Sequence, residues 1–336
     1  MRHRVEASYP NFFNTNERKR IVITKKHSAI AVLAIAAAGP VAAQSNVTVY
    51  GLMDIGVVKA SGLATKVDSG DRNRLGFKGV EDLGGGLKAD FRLEHSFNPD
   101  TGTQFSASTF WQGASYVGLQ NGLGHLRLGR WYTPAGGDVA FMTDPFESRT
   151  VASISRAANG EPDWTTVDVT TVRFNKAVHY ESPSLAGLVL KGAYGLTGST
   201  PAFHQTSVSA EYTRGDLYLG LGGERVNATS RFYVLGVNYQ FGIVKLLGGY
   251  TKGKNGDVAA DNFSVGTQVT VGSAGSVRAV YAVLDSDNNA NDRKKLGLGY
   301  QHTLSKRTSL YADIARVAPS SGSRTNLGDL GVSHKF

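Results

Sequence analysis

Four charges stand at alternate positions of one short segment, Lys88, Asp90, Arg92 and Glu94, with Leu87, Ala89, Phe91 and Leu93 between them. Successive side chains of a β-strand point to opposite faces, so this segment carries one charged face and one apolar face. A row of such groups holds water, attracts counter-ions and orients polar solutes, and makes or breaks no bonds. No constellation for covalent chemistry stands beside it. The chain has no Gly-x-Ser-x-Gly elbow to expose an activated serine. Glycines 84–86 lack the Gly-Lys-Ser/Thr that would complete a phosphate cradle. His95, His125, His179 and His302 sit on separate segments without metal-ligand spacing. Zero Cys excludes thiol chemistry and disulfide staples. The expectation is a chain with no catalytic residues, no metal and no cofactor.

The elements that hold such a face must be strands. From residue 44 onward the chain is a succession of short alternating segments separated by Gly, Asn, Asp and Ser. Sixteen are expected, at 47–58, 74–80, 87–97, 109–120, 125–133, 172–181, 188–196, 207–213, 217–226, 231–241, 243–251, 262–271, 276–284, 294–303, 307–317 and 326–336. Their links alternate in length. Links 81–86, 121–124, 215–216, 242 and 304–306 are tight, whereas 59–73, 98–108, 134–171, 252–261 and 285–293 are long and polar. A β-sandwich or propeller gives no reason for that alternation, but an up-and-down membrane barrel does. The faces agree: Tyr233, Leu235, Val237, Tyr239 and Phe241 oppose Gly236, Asn238 and Gln240, and Val277, Ala279, Tyr281 and Val283 oppose Arg278. The reading is all-β: a transmembrane antiparallel barrel of 16 strands, apolar outside and wet inside.

Export fits this. Ser28–Ala43 follows Lys25 and Lys26 as a short apolar run and ends Val41-Ala42-Ala43 before Gln44. That is the pattern of a signal peptide, with cleavage expected near Ala43/Gln44. Residues 1–43 are therefore read as an N-terminal extension plus leader, and 44–336 as one barrel domain. The full chain carries a net charge of +9, but the part after residue 43 has 29 basic against 25 acidic residues. Most of the basicity belongs to the leader, and no clustered basic helix remains for nucleic acid. The chain ends in the alternating Leu330, Val332, His334 and Phe336. A terminal Phe on such a strand resembles the signal read by the outer-membrane assembly machinery.

Several motifs, in order, resemble the general Gram-negative porins: Asn46–Asp54, the RLGFKGVEDLGGGLK stretch at 74–88, Ser115–Leu119, Leu128–Pro134, Tyr180–Pro183 and the terminal Phe336. The resemblance implies a homotrimer of sixteen-stranded barrels in the outer membrane, in contact with its lipid and lipopolysaccharide. Each barrel would pass small hydrophilic solutes and ions by passive diffusion. It also implies that the long third loop, here 134–171, folds into the lumen and sets loop carboxylates against basic residues of the wall. The matching wall positions are Arg74, Arg130 and Arg173, while Arg92 faces inward by alternation alone. The loop acids available are Asp138, Asp144 and Glu147. Arg130 shares parity with the apolar Leu126 and Leu128, so it points inward only if a bulge shifts the register. Many relatives carry a basic residue where this chain has Gly113, which implies a wider or less positive narrow point. Inward basic residues outnumber inward acids, so a weak preference for anions is expected. The alternative is a structural or adhesive barrel with a closed lumen.

Overall fold

The computed structural model describes residues 46–154, 172–196, 203–287 and 292–336. The expected leader and its cleavage point lie outside these residues, as does the stretch 155–171 of the third long link. The strands are β1 (Asn46–Ala60), β2 (Lys66–Asp68), β3 (Arg74–Gly84), β4 (Leu87–Ser96), β5 (Ala114–Asn121), β6 (Gly124–Tyr132), β7 (Arg173–Glu181), β8 (Leu188–Gly195) and β9 (Thr206–Arg214). They continue as β10 (Leu217–Arg225), β11 (Arg231–Phe241), β12 (Val244–Asn255), β13 (Val258–Val271), β14 (Gly275–Ser286), β15 (Arg293–Thr303), β16 (Thr308–Pro319) and β17 (Thr325–Lys335). All belong to one antiparallel sheet. Sixteen are long, and β2 is a three-residue strand in the first long link.

The sheet closes on itself. β1 pairs with β3 from Asn46↔Val80 to Leu52↔Arg74, and with β17 from Leu52↔Lys335 to Ala60↔Leu327. Closure satisfies every edge, the condition for a sheet to stand in hydrocarbon, where each unpaired backbone group costs several kcal/mol. At the seam Phe336 N–H donates to Gly51 O and Gly51 N–H donates to Phe336 O. A Cβ on Gly51 would lie 2.2 Å from the Phe336 ring and 2.6 Å from Arg74 O, so only glycine fits there.

The outward face is apolar and exposed, with Leu219, Leu221, Leu235, Val237, Phe263, Val265, Leu296 and Leu298 among its members. Tyr180, Tyr194, Tyr239, Tyr250 and Tyr300 are exposed with them. Tyr50 differs, because it faces the interior and donates to Glu94 Oε2. The link expected over 252–261 is also different. β12 runs on to Asn255 and β13 starts at Val258, leaving a tight turn with Gly256 at φ 60°. Lys252, Lys254 and Asp261 are polar enough to look like loop, yet they continue the alternation beyond the apolar band. The strand expected from residue 109 begins at Ala114, since Phe110 and Trp111 leave the sheet to pack on each other, on His95 and on Phe77.

The described part of the third link crosses the wall on the face opposite the apolar rows. Pro134–Val139 forms a short π-helical turn capped by Thr133, and Ala140–Thr143 a 3-10 turn. Ala135 N–H donates to Ser207 Oγ on β9, Gln268 on β13 donates to Pro145 O, and Val151 N–H donates to Asp329 on β17. Phe146, Val151, Ala152 and Ile154 bury themselves against Val280, Leu284, Val317 and Leu327. Ala135, Val139 and Ala140 do the same against Phe232 and Val234. Fully burying one side chain such as Phe146 contributes about 1.5–3 kcal/mol, so this segment is held by a dry core inside the sheet. Its path needs small wall residues: a Cβ on Gly297 would lie 2.4 Å from Ala152 O.

Candidate functional site

Between that segment and the β1–β3–β4 side of the wall lies a water-accessible cavity of about 780 Å³. Its basic lining is Arg72, Arg74, Arg92, Arg149, Arg173 and Lys335, and its acidic lining is Asp71, Glu94 and Glu147. The acids are committed. Asp71 pairs with Arg149 at 3.0 Å and Arg74 at 3.5 Å, Glu147 pairs with Arg149 at 3.0 Å, and Glu94 accepts from Tyr50 at 2.8 Å. The remaining guanidiniums are braced by neutral groups. Arg173 donates to Gly113 O and to Tyr132 Oη and lies 3.9 Å from the Tyr132 ring centroid. Arg92 lies between the rings of Tyr50 and Trp131, at 4.9 and 5.3 Å from their centroids. Stacking holds a planar guanidinium in place without neutralising it.

Arg74, Arg92, Arg173 and Glu147, four of the residues singled out in the sequence, therefore share this cavity. Phe336 lines it too. Arg130 sits beside it at a bulge: the β6–β7 register shifts between Gly129 and Trp131, and Gly129 takes φ 136°. Its guanidinium donates to Gln112 O and Asn175 Oδ1.

The other two loop acids point elsewhere. Asp138 is paired with Lys191 Nζ at 2.9 Å, and the same ammonium holds Glu211 at 2.9 Å, which ties the first turn of the link to β8 and β9. Burial pushes the Asp138 carboxyl above its ordinary range, and Lys191 opposes the shift. Asp144 is enclosed and accepts from Phe146 N–H, Ser148 N–H, Ser153 Oγ and Ile154 N–H. These bonds stabilise a tight reversal in which Glu147, Ser148 and Thr150 adopt φ of 55°, 59° and 53°, a region that non-glycine residues rarely occupy. Burial also pushes Asp144 up, against its hydrogen bonds. Asp144 thus shapes the link and does not face the arginines.

Arg72, Arg149 and Lys335 are the lining cations that sequence reasoning passed over, and Arg72 shows why. β3 starts only at Arg74, and residues 69–73 leave the sheet and enter the interior, where Gly70 N–H donates to Asp54 and Gly70 O accepts from Thr150 N–H. Arg72 then rests 4.6 Å from the Phe105 ring centroid. Burial lowers its guanidinium from the ordinary range, and Tyr132, Asp71 and Glu94 act in the opposite sense. An arginine stays protonated at neutral pH even so.

Comparison with known proteins completes the description. A family model described as Gram-negative porin matches residues 29–320. "Outer membrane porin protein 32" of Delftia acidovorans is 32% identical over 338 residues, covering 91% of this chain and 93% of that protein. "Major outer membrane protein P.IB" of Neisseria meningitidis serogroup B is 28% identical, covering 89% of this chain and 97% of that protein. The solved structure of an anion-selective porin from Comamonas acidovorans superposes with a TM-score of 0.73 at 26% identity, covering 87% of this chain and all of that one.

Proposed function

Because the chain belongs to the Gram-negative porin family, forming an outer-membrane channel for passive diffusion, we propose that this channel is weakly anion-selective and that its narrow point is the arginine-lined cavity. The observation that carries this reading is the composition of the cavity wall. Six basic side chains meet three acids there, and each of those acids already holds an internal partner. A low-dielectric wall focuses the remaining positive field on the solute path. Arg74, Arg92 and Arg173, with Arg130 beside them, form the basic side, and Glu147 is the acid that faces them. Asp138 and Asp144 act at one remove, by holding the third link against the wall. The printed description of the Comamonas acidovorans relative as anion-selective supports the sign.

The open cavity argues against a barrel with a closed lumen. In this reading the chain is exported through the leader ending near Ala43, is assembled through its Phe336-terminated strand, and works as a homotrimer with residues 44–336 as one domain. Small hydrophilic solutes and ions are its cargo, and the long links face the exterior. Purified protein in a planar bilayer should give large, steady, ohmic steps, with a reversal potential in a salt gradient on the anion side. Absence of steps would refute the open channel, and a cation-side potential would refute the assigned selectivity.

A further inference from the structure

At the long-link end of the wall, on the outward face, three cations stand abreast on adjacent strands. Arg225 of β10 is the direct cross-strand partner of Arg231 of β11, and Arg231 is the direct partner of Lys254 of β12. The row is flanked by Thr206 and Ala259. Like charges directly opposite one another destabilise a sheet, and here two such pairs follow in succession. Among the described residues no carboxylate pairs with any of the three. Asp261, two residues along β13 from Ala259 on the outward face, is taken by Lys252 at 3.2 Å and by the Tyr250 hydroxyl at 3.0 Å. Arg225 is braced 4.8 Å from the Phe203 ring centroid.

Depth identifies what would cover this row. One rung below lie Tyr233 and Lys252, and a further rung below lie Leu221, Leu235, Tyr250 and Phe263, exposed apolar side chains of the hydrocarbon-facing band. Two rungs are four residues, roughly 13 Å along a strand and less along the tilted barrel's axis. The cations therefore stand at headgroup height, just beyond the tyrosines of the band. We infer that Arg225, Arg231 and Lys254 form a docking site for the phosphates of a glycolipid in the outer leaflet. Guanidinium forks bind phosphate through paired N–H donors, and a phosphorylated headgroup anchored by its own chains would neutralise the row at no cost to the sheet. The inference rests on the reading that the long links face the exterior.

The test uses the full purified channel in detergent, titrated with bisphosphorylated lipid A and separately with its dephosphorylated form, with bound lipid read by native mass spectrometry. Wild-type protein should retain the bisphosphorylated form selectively. The triple variant R225Q/R231Q/K254Q should bind it on the order of 100-fold more weakly, whereas R225K/R231K, which keeps both charges without the forks, should fall between it and wild type. Equal binding of both lipids by wild type, or undiminished binding by the triple variant, overturns the site. So does displacement of the lipid by inorganic phosphate at equal concentration, which would make the row a site for free anions. All three residues lie outside the lumen, so conductance of the triple variant should match wild type. Lost conductance in wild type itself would count against the channel reading and leave the lipid result standing.

Discussion

Replacing Arg72 with Gln tests whether the cavity's field sets selectivity. A sphere of 780 Å³ has a radius of about 6 Å, so an ion at its centre sits about that far from each lining charge. Taking the permissive case of a water-like dielectric, one unit charge at about 6 Å contributes about 0.7 kcal/mol, reduced to about 0.4 kcal/mol by screening in 0.1 M salt. Removing the charge weakens anion attraction and relieves cation repulsion together. The anion-to-cation permeability ratio should then fall about fourfold. In 1 M salt, with a Debye length of about 3 Å, the same variant should differ from wild type by less than about 1.5-fold. The assay is reversal potential across a salt gradient at both ionic strengths, with R214Q, at a turn on the opposite rim, as control. Arg72 touches the Phe105 ring and forms no ion pair among the described residues, so the fold should survive the change. An unchanged ratio at low salt refutes the field argument. A shift of equal size at high salt would attribute the effect to movement of the loop and not to charge.

Other outcomes follow from the same geometry. D144A removes the acceptor for four donors. It should lower thermal stability by a few kcal/mol and make single-channel currents noisy, and quiet currents with unchanged melting would contradict the role given to it. K191M leaves Asp138 and Glu211 facing each other without their shared cation, so protection of residues 134–140 in hydrogen exchange should fall while that of β15–β17 does not. Asp138 and Asp144 both titrate above the ordinary carboxylate range because of burial. The seated link thus holds protons that the unfolded chain releases near pH 4. Its stability contribution is complete below about pH 4 and is lost as pH rises through the raised values. Exchange protection of residues 134–154 should therefore increase on acidification from neutral pH, and a decrease would reverse the sign. G51A places a methyl group against the Phe336 ring and Arg74 O and should reduce the yield of heat-resistant folded barrel, measured by gel mobility before and after boiling.

The strands were legible because period-two alternation and Gly/Asn turns act locally, and Arg231–Phe241 is the same in pattern and in structure. Arg74, Arg92 and Arg173 could be placed from strand parity and motif. Asp144 could not, because an irregular segment has no period to show whether a carboxylate turns toward a cavity or toward its own backbone. Arg72 was hidden for a related reason. Residues 69–73 look like the tail of a surface link, and the clue to their inward path, the Asp54 carboxylate that receives Gly70 N–H, lies sixteen residues earlier on another strand. The 252–261 stretch failed through composition, since lysines and an aspartate at headgroup height mimic a loop while the backbone stays paired from Lys252↔Asp261 to Asn255↔Val258.

The dry core between Phe146, Val151, Ile154 and the wall residues Val280, Leu284 and Val317 has a consequence for how the barrel conducts. A sixteen-stranded cylinder suggests a round conduit on its axis, but part of its interior is occupied by hydrocarbon. The water-accessible cavity beside it lies against the β1–β4 side. Electrical resistance then scales with the width of that cavity, not with the circumference of the sheet. Substitutions that thin or thicken the seam between link and wall should retune conductance while leaving the lipid-facing cylinder untouched.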